Sequence, residues 1–244
     1  MAWGRKGAVG CFSPVLVSVE MAEPLLHPHR GILDDELKRL RTFVTDMGEL
    51  VEGAITQAMA GLTEREISLC NKVIAEDSVL NEHQRQLREL SFTIMLTQSP
   101  VARDLREIIG LLYMSSEFER MGDHCVSIAK IARNLADLPE IKGYVDLPKL
   151  AEYCSDQVRG ILSAVETRDA LLARRIAASD DRVDRVYHRL FDDLIQMMTD
   201  DVSAVYRATN LVFIAHHLER IADRVTNIAE DLVFLETGAI EELG

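Results

Sequence analysis

The sequence predicts an all-α protein built as two pseudo-symmetric three-helix bundles from an internal duplication. Three observations predict it. Proline disrupts helix interiors, and none occurs between Gly31 and Ser99 or after Pro148. Through both stretches apolar residues recur every three or four positions, the period of a helix face. A 13-residue motif beginning at Glu119 returns 100 residues later at Glu219.

The chain opens on a segment of different composition. Residues 1–31 hold four of the 13 Gly, three of the 6 Pro and the only Trp, Trp3. Arg5 and Lys6 precede a mostly apolar run from Ala8 to Val19, which has the outline of a secretory signal. Pro14 interrupts that run, Glu20 replaces the small residues expected before a cleavage site, and no A-x-A follows, so the signal is disfavoured. Met21 offers a second start. Residues 1–31 are therefore read as a disordered or artefactual extension outside the fold.

Residues 32–138 form the first unit, 139–148 a linker and 149–244 the second. Helix 1 is expected from Asp34 to Leu62, where Leu37, Leu40, Val44, Met47, Val51, Ile55 and Ala58 mark one face. Helix 2 follows from Glu64 to Thr97, with Thr63 as its N-cap. Pro100 suits a first helical turn and opens helix 3, which runs to Asp137. Helix 4 is expected over 148–166, helix 5 over 168–199, and helix 6 over 202–236, stopping before Gly238. Helices of about 30 residues rise roughly 45 Å, and short connections between them make elongated antiparallel bundles.

The repeat is carried by two matches. ERMGDHCVSIAKI (119–131) and ERIADRVTNIAED (219–231) share five of 13 positions. EDSVLNEHQRQL (76–87) aligns without gaps to SDDRVDRVYHRL (179–190), pairing Asp77 with Asp180, Asn81 with Asp184 and Leu87 with Leu190. Offsets of 100 and 103 residues make the chain a duplication, the kind of self-similarity that decides a fold.

Within the repeat stand acids on unusually apolar helices. Glu119 and Asp123 are spaced i, i+4, as are Glu219 and Asp223, Asp180 and Asp184, and Asp77 and Asn81. That spacing places each pair on one helix face. With a turn near residue 99, Asp77 and Asn81 lie 22 and 18 residues before it, and Glu119 and Asp123 lie 20 and 24 after. With a turn near 201, Asp180 and Asp184 lie 21 and 17 before, and Glu219 and Asp223 lie 18 and 22 after. Antiparallel pairing thus brings each acid pair level with its partners, where carboxylates repel unless something positive sits between them. Two readings meet that demand. Arginines such as Arg103, Arg106, Arg120, Arg207 and Arg220, or solvent, satisfy the acids; or the oxygen-rich clusters bind divalent or ferric cations. His124, His216 and His217 are further nitrogen donors, with His83 and His188 weaker candidates.

Composition removes several function classes. Acids outnumber bases 40 to 27, a formal net charge of -13, which argues against nucleic acid or anionic lipid as partner. Hydrophobic residues make up 48% of the chain, too many for a disordered acidic protein. No run of 18 apolar residues is present to insert into a membrane. Cys11, Cys70, Cys125 and Cys154 are scattered, without C-x-x-C, which reads as reduced thiols in a cytoplasmic protein.

E-x-x-x-D followed by x-x-x-x-I-A on a long apolar helix, twice over, resembles the PhoU family of phosphate-uptake regulators. Glu119-Arg120-Met121-Gly122-Asp123-His124 and Glu219-Arg220-Ile221-Ala222-Asp223-Arg224 carry the resemblance. Asp104-Leu105-Arg106, Asn227-Ile228-Ala229-Glu230 and Met47-Gly48-Glu49-Leu50-Val51 add to it. The resemblance implies metal clusters of iron or zinc, or of manganese or magnesium, held by Asp77, Asn81, Glu119 and Asp123 and by Asp180, Asp184, Glu219 and Asp223. It also implies a homodimeric cytoplasmic adaptor between the ATPase subunit of a phosphate ABC transporter and a sensor histidine kinase, restraining uptake and the starvation response when phosphate is plentiful. Asn81 departs from the pattern, where an acid is expected, and Arg224 replaces the His found at 124.

Two alternatives remain. A ferritin-like di-metal oxidase or storage protein uses E-x-x-H, and none of the seven histidines has an acid three residues before it. A metal-free helical adaptor uses the same bundle without ligands. No G-x-S-x-G, P-loop lysine motif or H-E-x-x-H occurs, so a non-enzyme is expected.

Overall fold

The computed structural model describes residues 30–139 and 146–244. The expectations for the extension through His29, including Cys11, and for linker residues 140–145 lie outside the described residues. Helices α1 (Arg30–Thr63), α2 (Ile67–Gln98) and α3 (Arg103–Leu135) make the first repeat. The second consists of α4 (Asp146–Thr167), α5 (Ala170–Ala177), α6 (Asp180–Asp200), a 3-10 turn (Val202–Ala204) and α7 (Val205–Thr237). Helices α3 and α7 pack together along the centre, and α4 packs on α1. One apolar core therefore runs through both repeats, from Leu40, Val44, Met47 and Val51 through Phe118 and Met121 to Leu218, Ile221 and Val225. Each fully buried side chain of this kind contributes about 1.5–3 kcal/mol.

The structure corrects four local expectations. The single helix expected over 168–199 is two, broken at Ala178–Ser179. There Ser179 N–H bonds the Ile176 carbonyl at 2.9 Å and its hydroxyl bonds the same oxygen at 2.6 Å, a tightening by back-bonding that needs neither Pro nor Gly. Thr63 is not an N-cap: it ends α1, its hydroxyl donating to the Met59 carbonyl. The N-cap of α2 is Glu66, which accepts from Ser68 N–H. Pro100 lies in the connection before α3 rather than in its first turn, between Ser99 (φ 48°) and Ala102 (φ 48°). Helix α1 already includes Arg30 and Gly31, and Arg30 bonds Asp104 at 2.6 Å. Pro148 does lie in the first turn of α4, where its missing N–H costs nothing.

The duplication reaches the backbone. Arg65 and Arg168, 103 positions apart, both adopt left-handed φ, 60° and 56°. The residue after each caps the next helix in matching conformation, Glu66 at φ −93°, ψ 93° and Asp169 at φ −94°, ψ 93°. Left-handed φ costs a non-glycine residue roughly 1–2 kcal/mol. Arg168 is held there by Glu107, which is 4% exposed, and by Glu236. Its Nη1 donates to Glu107 at 3.1 Å and its Nε to Glu236 at 2.6 Å, while Arg41 Nε donates to the other oxygen of Glu107 at 2.5 Å. This charge cluster ties α1, α3, α7 and the α4–α5 turn together.

Candidate metal centres

Helices α2 and α3 bring Asp77, Glu119 and Asp123 to one face of the first repeat. Helices α6 and α7 do the same for Asp180, Asp184, Glu219 and Asp223 in the second. The level match counted along the sequence is met in three dimensions, because members of each set perturb one another electrostatically. Burial and then the charges of Asp123 and Asp77 raise the pKa of Glu119; burial and then Asp123 raise that of Asp77. Asn81 is exposed and donates from Nδ2 to Asp77 Oδ2 at 3.0 Å.

The second set is buried further, with all four acids half-buried. Burial pushes Asp180 up to about 6, with Asp184 and Asp223 adding repulsion against a hydrogen bond from Gln157. Glu219 is pushed up to about 7, first by burial and then by Asp223, with Arg220 opposing. Burial likewise raises Asp223, with Arg220 again opposing. Compensation is partial: Arg220 Nη1 bonds Asp223 Oδ2 at 2.6 Å and Gln157 Nε2 bonds Asp180 Oδ1 at 3.3 Å. Glu219 Oε2 is buried without a hydrogen-bond partner, and His216 Nδ1 stands 3.4 Å from it.

Of the arginines weighed as alternative partners, Arg220 reaches a cluster acid, whereas Arg120 bonds Glu117, Arg207 bonds the Pro139 carbonyl and Arg106 stacks on Phe234. The chemistry of both donor sets fits a hard or borderline cation: carboxylate oxygens, partly desolvated and mutually repelling. Their placement does not yet complete a centre. Among the described residues no three His, Cys, Asp or Glu side chains converge on a point that one metal ion could occupy, so closing on an ion takes side-chain rotation.

Packing behind the clusters differs between repeats. A Cβ on Gly122 would meet Leu80 Cδ2 at 2.2 Å and Asp77 Oδ1 at 3.8 Å, so α2 approaches α3 over a glycine. The matching positions in the second repeat are Ala222 and Val183, both buried: one carbon more on α7, one fewer on α6. Beside Asp77 a shallow cleft is lined by Leu50, Ala54, Glu76 and Leu80. Its counterpart beside Asp180 is lined by Tyr153, Gln157, Ser179 and Val183, and the helix break at Ser179 forms part of its wall.

Apart from His216 beside Glu219, the histidines named as further donors lie away from the cluster acids. His124 Nδ1 lies 3.1 Å from His217 Nδ1, across the crossing of α3 and α7. Burial, then His217 and the Arg224 and Arg220 guanidinium groups, lower His124 to about 4. His83 stacks near Phe43 and His188 near Tyr187. At the companion crossing Glu117, 8% exposed, accepts from Arg224 at 3.3 Å and Asn227 at 2.9 Å. Neither crossing was visible as spacing. The signal lay in the repeat alignment, where 117 matches 217 and 124 matches 224, so Glu-Arg and His-His are two versions of one contact.

A family model described as "PhoU domain" matches the chain twice, over residues 44–132 and 147–232. A "Phosphate-specific transport system accessory protein PhoU homolog" of Rhizobium meliloti is 33% identical over 216 residues, 87% of this chain and 91% of that protein. One of Clostridium acetobutylicum with the same name is 29% identical over 86% of this chain and 96% of its own length. The crystal structure of PhoU from Pseudomonas aeruginosa superposes with a TM-score of 0.82 at 31% identity, covering 85% of this chain and all of that one. The phosphate transport system regulatory protein PhoU of Streptococcus pneumoniae gives a TM-score of 0.79 at 29% identity, over 86% of this chain.

Proposed function

The chain belongs to the PhoU family, and from that premise we propose that it is a non-enzymatic accessory protein of phosphate transport. In this reading it restrains uptake and the phosphate-starvation response when phosphate is plentiful. It does so as a cytoplasmic homodimer that links the ATPase subunit of a phosphate ABC transporter to a sensor histidine kinase. The carrying observation is the match of both repeats, over nearly full length, to proteins named for that accessory role. Among the described residues no helix is long and apolar enough to cross a membrane, consistent with a partner of the transporter rather than part of its channel. Exposed apolar side chains at both hairpin ends, Phe92, Leu96 and Val101 in one repeat and Ile195, Val202 and Tyr206 in the other, are surfaces a partner would cover.

The metal reading belongs to the same proposal. Asp77, Asn81, Glu119 and Asp123 would hold one centre, and Asp180, Asp184, Glu219 and Asp223 the other. The cation, iron or zinc before manganese or magnesium, would neutralise acids that repel one another in its absence. Among the described residues no three donors converge on one point, and a metal-free adaptor with the same partners is the alternative reading. The regulatory role is tested by deleting the gene and following a phosphate-starvation reporter in high phosphate. Derepression is expected, and unaltered repression would sink the role.

A further inference from the structure

The crossings of α3 and α7 are related by the duplication, and one is a charge pair while the other is a pair of imidazoles. Glu117 and Arg224 join the two repeats by a 3.3 Å ion pair. At the positions matching them stand His217 and His124, whose Nδ1 atoms are 3.1 Å apart with ring centroids 5.3 Å apart. We propose that His124 and His217 form a bis-imidazole site for a borderline divalent transition metal such as Zn2+, which clamps the first repeat to the second.

The geometry carries this. Two imidazole nitrogens bound to one metal at 2.0–2.1 Å, at angles from 90° to tetrahedral, stand about 2.9–3.4 Å apart. The observed separation falls in that range, on helices from different repeats, in a half-buried position. Two nitrogens this close hold at most one proton between them, so the unmetallated state is a single N–H···N bond. A metal replaces that proton with two coordinate bonds, and water fills the remaining positions. The nearby cations do not oppose the ion at full strength, because Arg224 is paired with Glu117 and Arg220 with Asp223. His216 is set apart: its ring lies 6.2 Å from that of His217 and its Nδ1 faces Glu219. The site uses none of the carboxylate ligands, and nitrogen donors give it a different preference. Imidazole suits zinc, nickel and copper, whereas carboxylate and water suit magnesium and manganese.

The test uses the full chain, stripped of metal, with excess Mg2+ present to occupy oxygen-only sites while Zn2+ is added. Imidazole 15N spectra are expected to show the Nδ1 resonances of His124 and His217 moving together at equimolar Zn2+, with His83 and His188 unmoved. H217Q is expected to weaken Zn2+ binding at least tenfold and to abolish the shift at His124. Circular dichroism checks that the variant is folded, and the wild-type spectra decide the matter without it. Unmoved Nδ1 resonances, or equal Zn2+ affinity in folded H217Q, would overturn the site.

Discussion

In the first repeat Asp77, Glu119 and Asp123 share their face with exposed Asn81, whose amide bonds Asp77. In the second, four half-buried acids stand together, and Asp180 and Glu219 are raised to about 6 and 7. One ancestral unit has thus reached two electrostatic conditions. The first cluster lowers its repulsion by giving up a charge. The second keeps all four acids, and Arg220 compensates for only part of their repulsion. Desolvated like charges without a counter-ion are costly, so the second cluster has more to gain from a cation. A search for metal should begin there.

The largest expected effect separates the clusters by metal content. Under the metal reading, Glu219→Gln with Asp223→Asn should remove about one centre's worth of bound metal in elemental analysis of purified protein, a loss of affinity above tenfold. Glu119→Gln with Asp123→Asn should remove less, because the cluster with Asn81 starts weaker, and Asn81→Asp should narrow the difference. Equal metal in all variants would take the clusters out of the account.

Asp231 gives the next effect. It matches Ile131 in the first repeat, and burial, then Glu117 and Glu230, push it up to about 7 from an ordinary 3.8. A carboxyl raised in the folded state favours folding below its unfolded pKa. That contribution is lost as pH rises from about 4 through about 7. Asp231→Asn should therefore raise stability above pH 7 by about 1–3 kcal/mol, a gap of about three units reduced by partial solvent access. Near pH 4 it should leave stability nearly unchanged. Urea melts at pH 5 and pH 8 should show wild type losing more stability than the variant; parallel losses would show that Asp231 is solvated.

The proline-free stretches and the 3–4 spacing were enough to read the helices, because long amphipathic faces depend on local pattern. The acid clusters were legible for a related reason: a duplication with matched distances from each turn fixes helix register, and register is linear in sequence. What stayed hidden depends on neighbours. The break at Ser179 carries a hydroxyl bond to its own helix, but Ser115 makes the same bond inside an unbroken helix, so a serine does not announce a break. The left-handed Arg65 and Arg168 carry no glycine to announce them. The His124–His217 contact requires knowing which faces of α3 and α7 meet, and both helices are apolar on more than one side.

The smallest effect tests whether the repeats solved one packing problem in two ways. Between α2 and α3 the pair is Leu80 with Gly122; the repeat alignment puts Val183 and Ala222 at the matching positions of α6 and α7. A methyl on Gly122 would stand 2.2 Å from Leu80 Cδ2, so Gly122→Ala overpacks the contact at about 1–3 kcal/mol, with roughly 1 kcal/mol returned by helix propensity. Leu80→Val alone should cost about 1 kcal/mol for the space it leaves. Together the two changes install the second repeat's arrangement, so the double variant should lie within about 0.5 kcal/mol of wild type, a coupling of about 1–2 kcal/mol between contacting residues. Additive losses in denaturant melts would mean the helix spacings differ and the pairs are not equivalent. Asp77 Oδ1 stands 3.8 Å from the position of that methyl, an ordinary contact, but Asp77 lies one turn before Leu80 on α2, so a shift of α2 that relieves Leu80 in Gly122→Ala also moves the first acid cluster. The single variant should then weaken metal uptake there, and Leu80→Val should restore it by letting α2 settle back against α3.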